Sequence, residues 1–481
     1  MTTRRFALAT GCCLALAAVS LFAAHEPVYD AWAWLVWGRE LAALELDTSS
    51  GPSWKPLTVA LTAVLSLAGD AAPDLWLLFV RTAWLLALVL AAWLAYRLAG
   101  GVQHRPRLAA GAFAAVSLLL LADSFTAWPR QGAAGMSEPL LVALVLGPVA
   151  AGVRGRSRTA LALAGLAALV RPEVWPLLAA YGLWRWRAEP RLRVPIAALA
   201  FAVPALWLGP DLLASGGTSA GARALQGGGA PLHEFFEVFG RVAAVPLLAA
   251  WPLALFAVAC ARGPEHDRVL PAIAAGAAGW IAIVALMAAA GFPGLPRFMA
   301  PAVAVVCVLA GVGLARLLAL VRPGDARRPA LAALVVVLLV TLTQLPGRAA
   351  ELAQGLSTTA RIARSHDRLR ELAREVGRGP LLRCGALSTS DVLVRTALAW
   401  ELRVGLSEVV SFGRPSAKSG AFVVGPQADA RLRAAMPGRA ALLGARGEWR
   451  IYSIGCPPAA AAATPVSSGR ARSAGVSGAR R

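Results

Sequence analysis

His25-Glu26-Pro27-Val28-Tyr29-Asp30-Ala31-Trp32 follows the first apolar stretch of the chain, and Leu46-Asp47-Thr48 and Pro52-Ser53-Trp54-Lys55-Pro56-Leu57 come soon after. Acids, a lysine and prolines are crowded among tryptophans in one loop of an otherwise apolar protein. Lys55 stands out, because Lys418 is the only other lysine against forty-five arginines, and asparagine is absent. GC-rich coding explains both gaps, and a lysine kept under that bias points to a chemical need.

The surroundings decide the class of fold. Of 481 residues 58% are hydrophobic, above the roughly 45–50% of soluble domains, and mean hydropathy is +0.62. Apolar stretches recur at the length that a bilayer requires, about 20 helical residues. The net charge of +21 is spread in short arginine clusters between those stretches, as a membrane protein fixes its orientation, so nucleic acid is not the expected partner. The basic tail from Gly469 to Arg481 reads as disordered.

Arg4-Arg5 before Phe6 to Ala24 predicts a first span with a cytosolic N-terminus. A cleaved signal peptide is the alternative, although the site before His25 lacks a clean Ala-x-Ala. Tyr29 to Leu46 reads as an amphipathic helix at the membrane interface, where its tryptophans would form a belt, and the apolar stretch after Pro56 is short. Full crossings are expected at 74–100, 108–125, 139–153, 194–213, 239–260, 269–290, 298–320 and 329–345. Residues 159–184 differ, since arginines flank both ends and Arg171-Pro172-Glu173 interrupts the middle. A re-entrant pair of half-helices satisfies the charge rule there; broken backbone at that depth is tolerated where protein or a water-filled cavity surrounds it.

The expected fold is therefore an all-α polytopic membrane domain, residues 1–345, with about nine full spans and one re-entrant hairpin. A small extracytoplasmic α/β domain follows at 346–457, then a disordered basic tail at 458–481. Strands are expected at Leu381-Leu382, Ala421 to Val424 and Trp449 to Ile454, with a helix near Ala428 to Met436. Cys384 and Cys456 would lie outside the cytosol and pair as a disulfide. Nothing resembles a zinc site, and no motif supports a divalent metal; the cofactor is unassigned.

Ionisable groups in a membrane region are costly and mark function. The candidates are Asp30, Lys55, Arg81, Arg130, Glu138, Arg171, Glu173 and Arg297. Most fall at the outer ends of spans, where a cavity would gather them. Nucleotide sugars are absent outside the cytosol, so a transferase there needs a membrane-bound donor such as a polyprenyl-phosphate sugar. Asp30 would take the proton of an acceptor hydroxyl; Lys55, Arg130 and Arg297 would hold the departing phosphate. Glu138, Arg171 and Glu173 are further site candidates. Plainer readings stand beside these. Asp30 would cap a helix, Lys55 would snorkel, Arg297 would anchor a span end, Arg130 and Glu138 would pair, Arg171 and Glu173 would hold the broken backbone, and Glu26 and Asp47 would be solvated loop charges.

These residues resemble the GT-C glycosyltransferases, in particular the protein O-mannosyltransferases and lipid A aminoarabinose transferases. The family's Lys-Pro-Pro-Leu is similar to Lys55-Pro56-Leu57-Thr58, its catalytic acid to Asp30, its acid opening the fourth span to Glu138, and its Pro-Arg-Tyr-x-x-Pro turn to Pro296-Arg297-Phe298-Met299-Ala300-Pro301. Asp30 is followed by Ala31 where the family often carries a second acid. The resemblance implies transfer of a sugar from a polyprenyl-phosphate donor to a hydroxyl acceptor on the outer face of a cell membrane. Two alternatives differ in class: a ligase or polymerase acting on diphosphate-linked glycans, which would lean on His233, and a lipid-linked-sugar transporter, which should show paired inverted halves.

Overall fold

The computed structural model describes residues 3–121, 128–215, 230–261, 268–321, 326–383, 385, 387–411, 419–426, 428 and 440–456. The tail, Lys418, Cys384 and most of the stretch expected to be helical near 428–436 lie outside them. Ten helices lead up to the first long gap: α1 Thr3–Ser20, α2 Tyr29–Ala42, α3 Pro56–Ser66, α4 Ala72–Leu98, α5 His104–Leu119, α6 Trp128–Ala133, α7 Glu138–Gly152, α8 Ser157–Ala168, α9 Val174–Ala188 and α10 Arg193–Ser215. Then come α11 Pro231–Ala244, α12 Ala250–Ala259, α13 Val269–Ala289, α14 Ala300–Ala319 and α15 Arg327–Val376. The protein is a multi-pass membrane protein. Among the described residues, helices over Gly69–Leu98, Pro190–Ala214, Val269–Ala289, Pro296–Ala319 and Arg327–Val376 are long and apolar enough to cross alone. Other apolar helices are shorter, such as the 15 residues of α7.

The centre of the membrane domain is α14, almost wholly buried. Its neighbours come close because glycine carries no side chain. A Cβ on Gly311 would stand 2.4 Å from the Ala110 carbonyl oxygen, and one on Gly313 would stand 2.0 Å from that of Leu253. Small residues let helix backbones approach in this way.

The hairpin forms as its flanking charges require. Ser157, opening α8, donates to Glu189 just past α9 at 2.7 Å, and Arg185 near the end of α9 reaches both. Both ends of 157–189 therefore return to one side, and the break falls at 169–173, around Arg171-Pro172-Glu173.

Three expectations need correction. The span expected over 239–260 is two helices, α11 and α12, broken at 245–249; Pro246 cannot donate within a helix. The tryptophans of α2 are not a belt: Trp32 is 4% exposed and Trp34 and Trp37 are fully buried, because α2 packs against α3 and lies under the C-terminal region. Leu381 and Leu382 belong to a short helix, α16 Arg378–Leu382, not a strand.

The C-terminal region begins without a break, since α15 runs for 50 residues straight through position 345. Its sheet comprises β1 Leu387–Thr389, β2 Val409–Ser411, β3 Gly420–Val424, β4 Ala441–Arg446 and β5 Trp449–Ile454, in the order β2-β1-β3-β5-β4. β1 pairs in parallel with β2 and β3, while β5 is antiparallel to β3 and β4. Every residue of the central β3 is buried. Between β1 and β2, helix α17 Arg395–Glu401 packs on α2. Arg39 donates to the carbonyls of Trp400 at 3.2 Å and Val404 at 2.8 Å, and Thr396 Oγ1 donates to that of Tyr29 at 2.9 Å. Helix α2 is thus clamped between membrane helices and sheet domain.

Candidate active site

Five separate segments deliver the charged residues to one place. Asp30 occupies the first turn of α2, where Val28 is the cap and no side chain caps the end; its carboxylate is spared for other work. The backbone N–H of Val28 donates to the Ala134 carbonyl at 3.0 Å, tying the start of α2 to the loop before α7. That loop turns at Gly135, with φ +69, and Trp76 Nε1 donates to the Gly135 carbonyl at 2.9 Å. Lys55 precedes Pro56, the first residue of α3. The Leu57 N–H donates to the Leu169 carbonyl at 3.1 Å, which joins this segment to the hairpin turn. Arg297 lies on a single 3-10 turn over Pro296–Met299, held where Trp280 Nε1 donates to the Phe298 carbonyl at 2.8 Å.

The cluster has a buried floor and a more open mouth. Glu138, 1% exposed, accepts from Arg171 Nη1 at 3.1 Å and lies 4.0 Å from Arg297 Nε. Arg171 donates from Nη2 to Glu173 at 2.8 Å and stands 3.7 Å over the centre of the Phe298 ring. Lys55 donates to Ser137 Oγ at 2.6 Å and stands 4.6 Å over the Trp34 ring. Asp30 and Arg297 form the mouth, 3.8 Å apart, with side chains 23% and 20% exposed. Three cations thus balance three carboxylates. Burial pushes the Lys55 ammonium down to about 8 against the upward pull of Glu138, so its charge depends on that carboxylate.

The structure brings together Asp30, Lys55, Glu138, Arg171, Glu173 and Arg297. Arg130 sits on α6, with its stem against Gly355 of α15. Arg81 donates to the Ser20 carbonyl at 2.7 Å and closes the end of α1. His233 lies on α11 with its side chain 72% exposed, 3.6 Å from Glu237. Cys456 is disulfide-bonded, while Cys384 lies outside the described residues. Among the described residues no group of three or more His, Cys, Asp or Glu stands where a metal would be held.

Sequence reasoning missed Ser137, Trp34 and Phe298, which orient the cations. Ser137 had a signal, since a hydroxyl beside Glu138 at a span end sits where a buried ammonium needs an acceptor. Glu26 is corrected as well. It is 4% exposed, not solvated, and accepts from Arg370 at 3.1 Å, His366 at 3.0 Å and Trp32 at 3.0 Å.

No protein-family model and no curated protein matches the chain. Among solved structures, ArnT from Cupriavidus metallidurans bound to undecaprenyl phosphate is similar, at 16% identity and TM-score 0.54. The apo form of the same protein is similar at 15% identity and TM-score 0.57. Each likeness covers 94% of this chain and 98% of the other. The chain therefore shares the fold of ArnT.

Proposed function

We propose that the chain is a membrane glycosyltransferase that moves a sugar from a polyprenyl-phosphate donor to a hydroxyl acceptor on the extracytoplasmic face. The observation that carries the reading is the pairing of a half-open carboxylate, Asp30, with a guanidinium, Arg297, above the buried cations Lys55 and Arg171. The shared fold supports it, because ArnT was solved with a polyprenyl phosphate bound.

In the proposed reaction Asp30 takes the proton of the acceptor hydroxyl as its oxygen attacks the anomeric carbon. The bond from that carbon to the phosphate oxygen breaks, and polyprenyl phosphate leaves with the electron pair. Arg297 and Lys55 meet the charge that grows on the phosphate, in a partly dry setting where fixed cations act strongly. Single displacement inverts the anomeric centre. Arg171 holds Glu138 and Glu173 in place, and Glu138 in turn helps Lys55 stay charged. A histidine-based ligase is not favoured, because the exposed His233 has no part in the cluster.

Sugar transfer in membranes matched for protein level tests the reading. Asp30→Asn should lower turnover by about 10² or more while the protein still inserts, and Lys55→Ala should chiefly raise the donor concentration required. Full activity of Asp30→Asn would refute the catalytic assignment. Loss in His233→Ala alone would favour the ligase.

A further inference from the structure

A polar cavity lies on the opposite face of α2 from Asp30, about 400 Å³ in volume, between the start of α2 and α17. Trp32 is two residues beyond Asp30, hence about 200° around the helix at 3.6 residues per turn. Trp34, by contrast, shares the Asp30 face and lies beneath Lys55. The cavity falls within the roughly 300–1,000 Å³ of small-molecule sites.

We infer that this cavity is a saccharide-binding site, separate from the catalytic cluster and suited to an uncharged glycan. Its walls include Trp32 and Trp400, whose ring centroids are 6.2 Å apart at 38°. Both rings are held in place. The Trp32 indole donates to Glu26, and Arg39 stacks over Trp400 at 5.2 Å. Trp32 is 4% exposed and backs the wall, so the half-buried Trp400 is the rigid indole that gives a pyranose a surface for its C–H face at small entropic cost.

The charges select the ligand class. Glu26 faces Arg370 at 3.1 Å, Asp70 faces Arg403 at 3.3 Å, and Arg374 grips Glu401 through two bonds, the longer 3.1 Å. Asp74 lies 3.4 Å from His25. In a chain of net charge +21, this lining is close to neutral, so it offers no net attraction to an anion or a cation. It does offer carboxylates, which only accept, beside guanidiniums, which only donate. A hydroxyl both donates and accepts, and neighbouring hydroxyls on a sugar ring can address both kinds of group at once. That the bound glycan is part of the acceptor rests on the proposed function; the binding itself does not.

The test uses the full-length protein in lipid nanodiscs on an array of neutral, amino-sugar and uronic-acid mono- to tetrasaccharides. Neutral glycans should be retained. Trp400→Ala should weaken retention about tenfold, and Arg374→Gln, at the solvent-exposed rim where folding is not at stake, should weaken it severalfold. Asp30→Asn should retain glycan like the parent. The inference is overturned if no glycan is retained, if charged glycans bind best and salt removes them, or if both cavity variants bind like the parent. Retention by a protein that transfers no sugar would refute the proposed function and leave this site standing.

Discussion

Replacing Glu138 by glutamine keeps the shape of the buried side chain and removes its charge, leaving Lys55, Arg171 and Arg297 against only Asp30 and Glu173. The affected pairs are at 3.1 and 4.0 Å. At an effective dielectric of about 20 these correspond to roughly 5 and 4 kcal/mol of attraction. The amide dipole and relaxation return part of it, so the net loss should be about 3–5 kcal/mol, the usual cost of stranding a buried charge. Asp30→Asn breaks a half-open pair at 3.8 Å and should cost under about 1 kcal/mol. Unfolding of both variants in one detergent, followed by denaturant titration, reads the difference. Glu138→Gln has a second effect. The pull that keeps Lys55 protonated up to about 8 comes first from Glu138. Raising the pH through that value removes the cation, so activity should fall on the alkaline side, and the fall should begin at lower pH in the variant. A variant as stable as Asp30→Asn, with its alkaline limb unmoved, would refute both the charge balance and the role of Lys55.

The remaining predictions concern packing, pH and the C-terminal region. Gly313→Ala should cost about 1–3 kcal/mol or more by overpacking α14 against α12, whereas Gly209→Ala, with open space around it, should be neutral or slightly stabilising in thermal unfolding. Burial pushes the Glu40 carboxyl up to about 7. The folded protein holds that proton after the unfolded chain has released it, so stability should fall by up to about 3 kcal/mol as pH rises from about 4.5 to 7. Glu40→Gln should flatten that slope and be more stable than the parent above pH 7. Peptide mapping without reduction should recover Cys384 joined to Cys456, a bridge that contributes about 2–5 kcal/mol; two free thiols would eliminate it.

What could be read from the sequence is what local charge and hydropathy determine. The hairpin was legible because arginines at both of its ends forbid a single crossing, and Arg171-Pro172-Glu173 supplied the break. The order of Asp30, Lys55, Glu138 and Arg297 along the chain pointed to a shared cavity, since each follows or opens an apolar stretch. What was not legible depends on partners far away in sequence. Glu26 reads as a loop charge until Arg370, 344 residues later, is placed beside it. The tryptophans of α2 read as a membrane belt because nothing local announces that α17 will cover them. Nothing local announces either that α6, which carries Arg130, packs against α15.

The continuity of α15 has a mechanical consequence. Fifty residues at 1.5 Å each make a rod of about 75 Å, more than twice the roughly 30 Å of bilayer hydrocarbon. Pro346, inside the helix, removes one backbone hydrogen bond, so the part beyond it can pivot there and carry its angle outward as a unit. From Pro346 outward about 45 Å of helix remains, and a 10° tilt at its base would carry its far end about 8 Å sideways. The grip of Glu26 on Arg370 and of Glu401 on Arg374 acts near that far end, where a given force has the greatest leverage. The buried Glu26–Arg370 pair and the more exposed Glu401–Arg374 pair are therefore placed to steady the angle of the lever, and with it the width of the gap above α2.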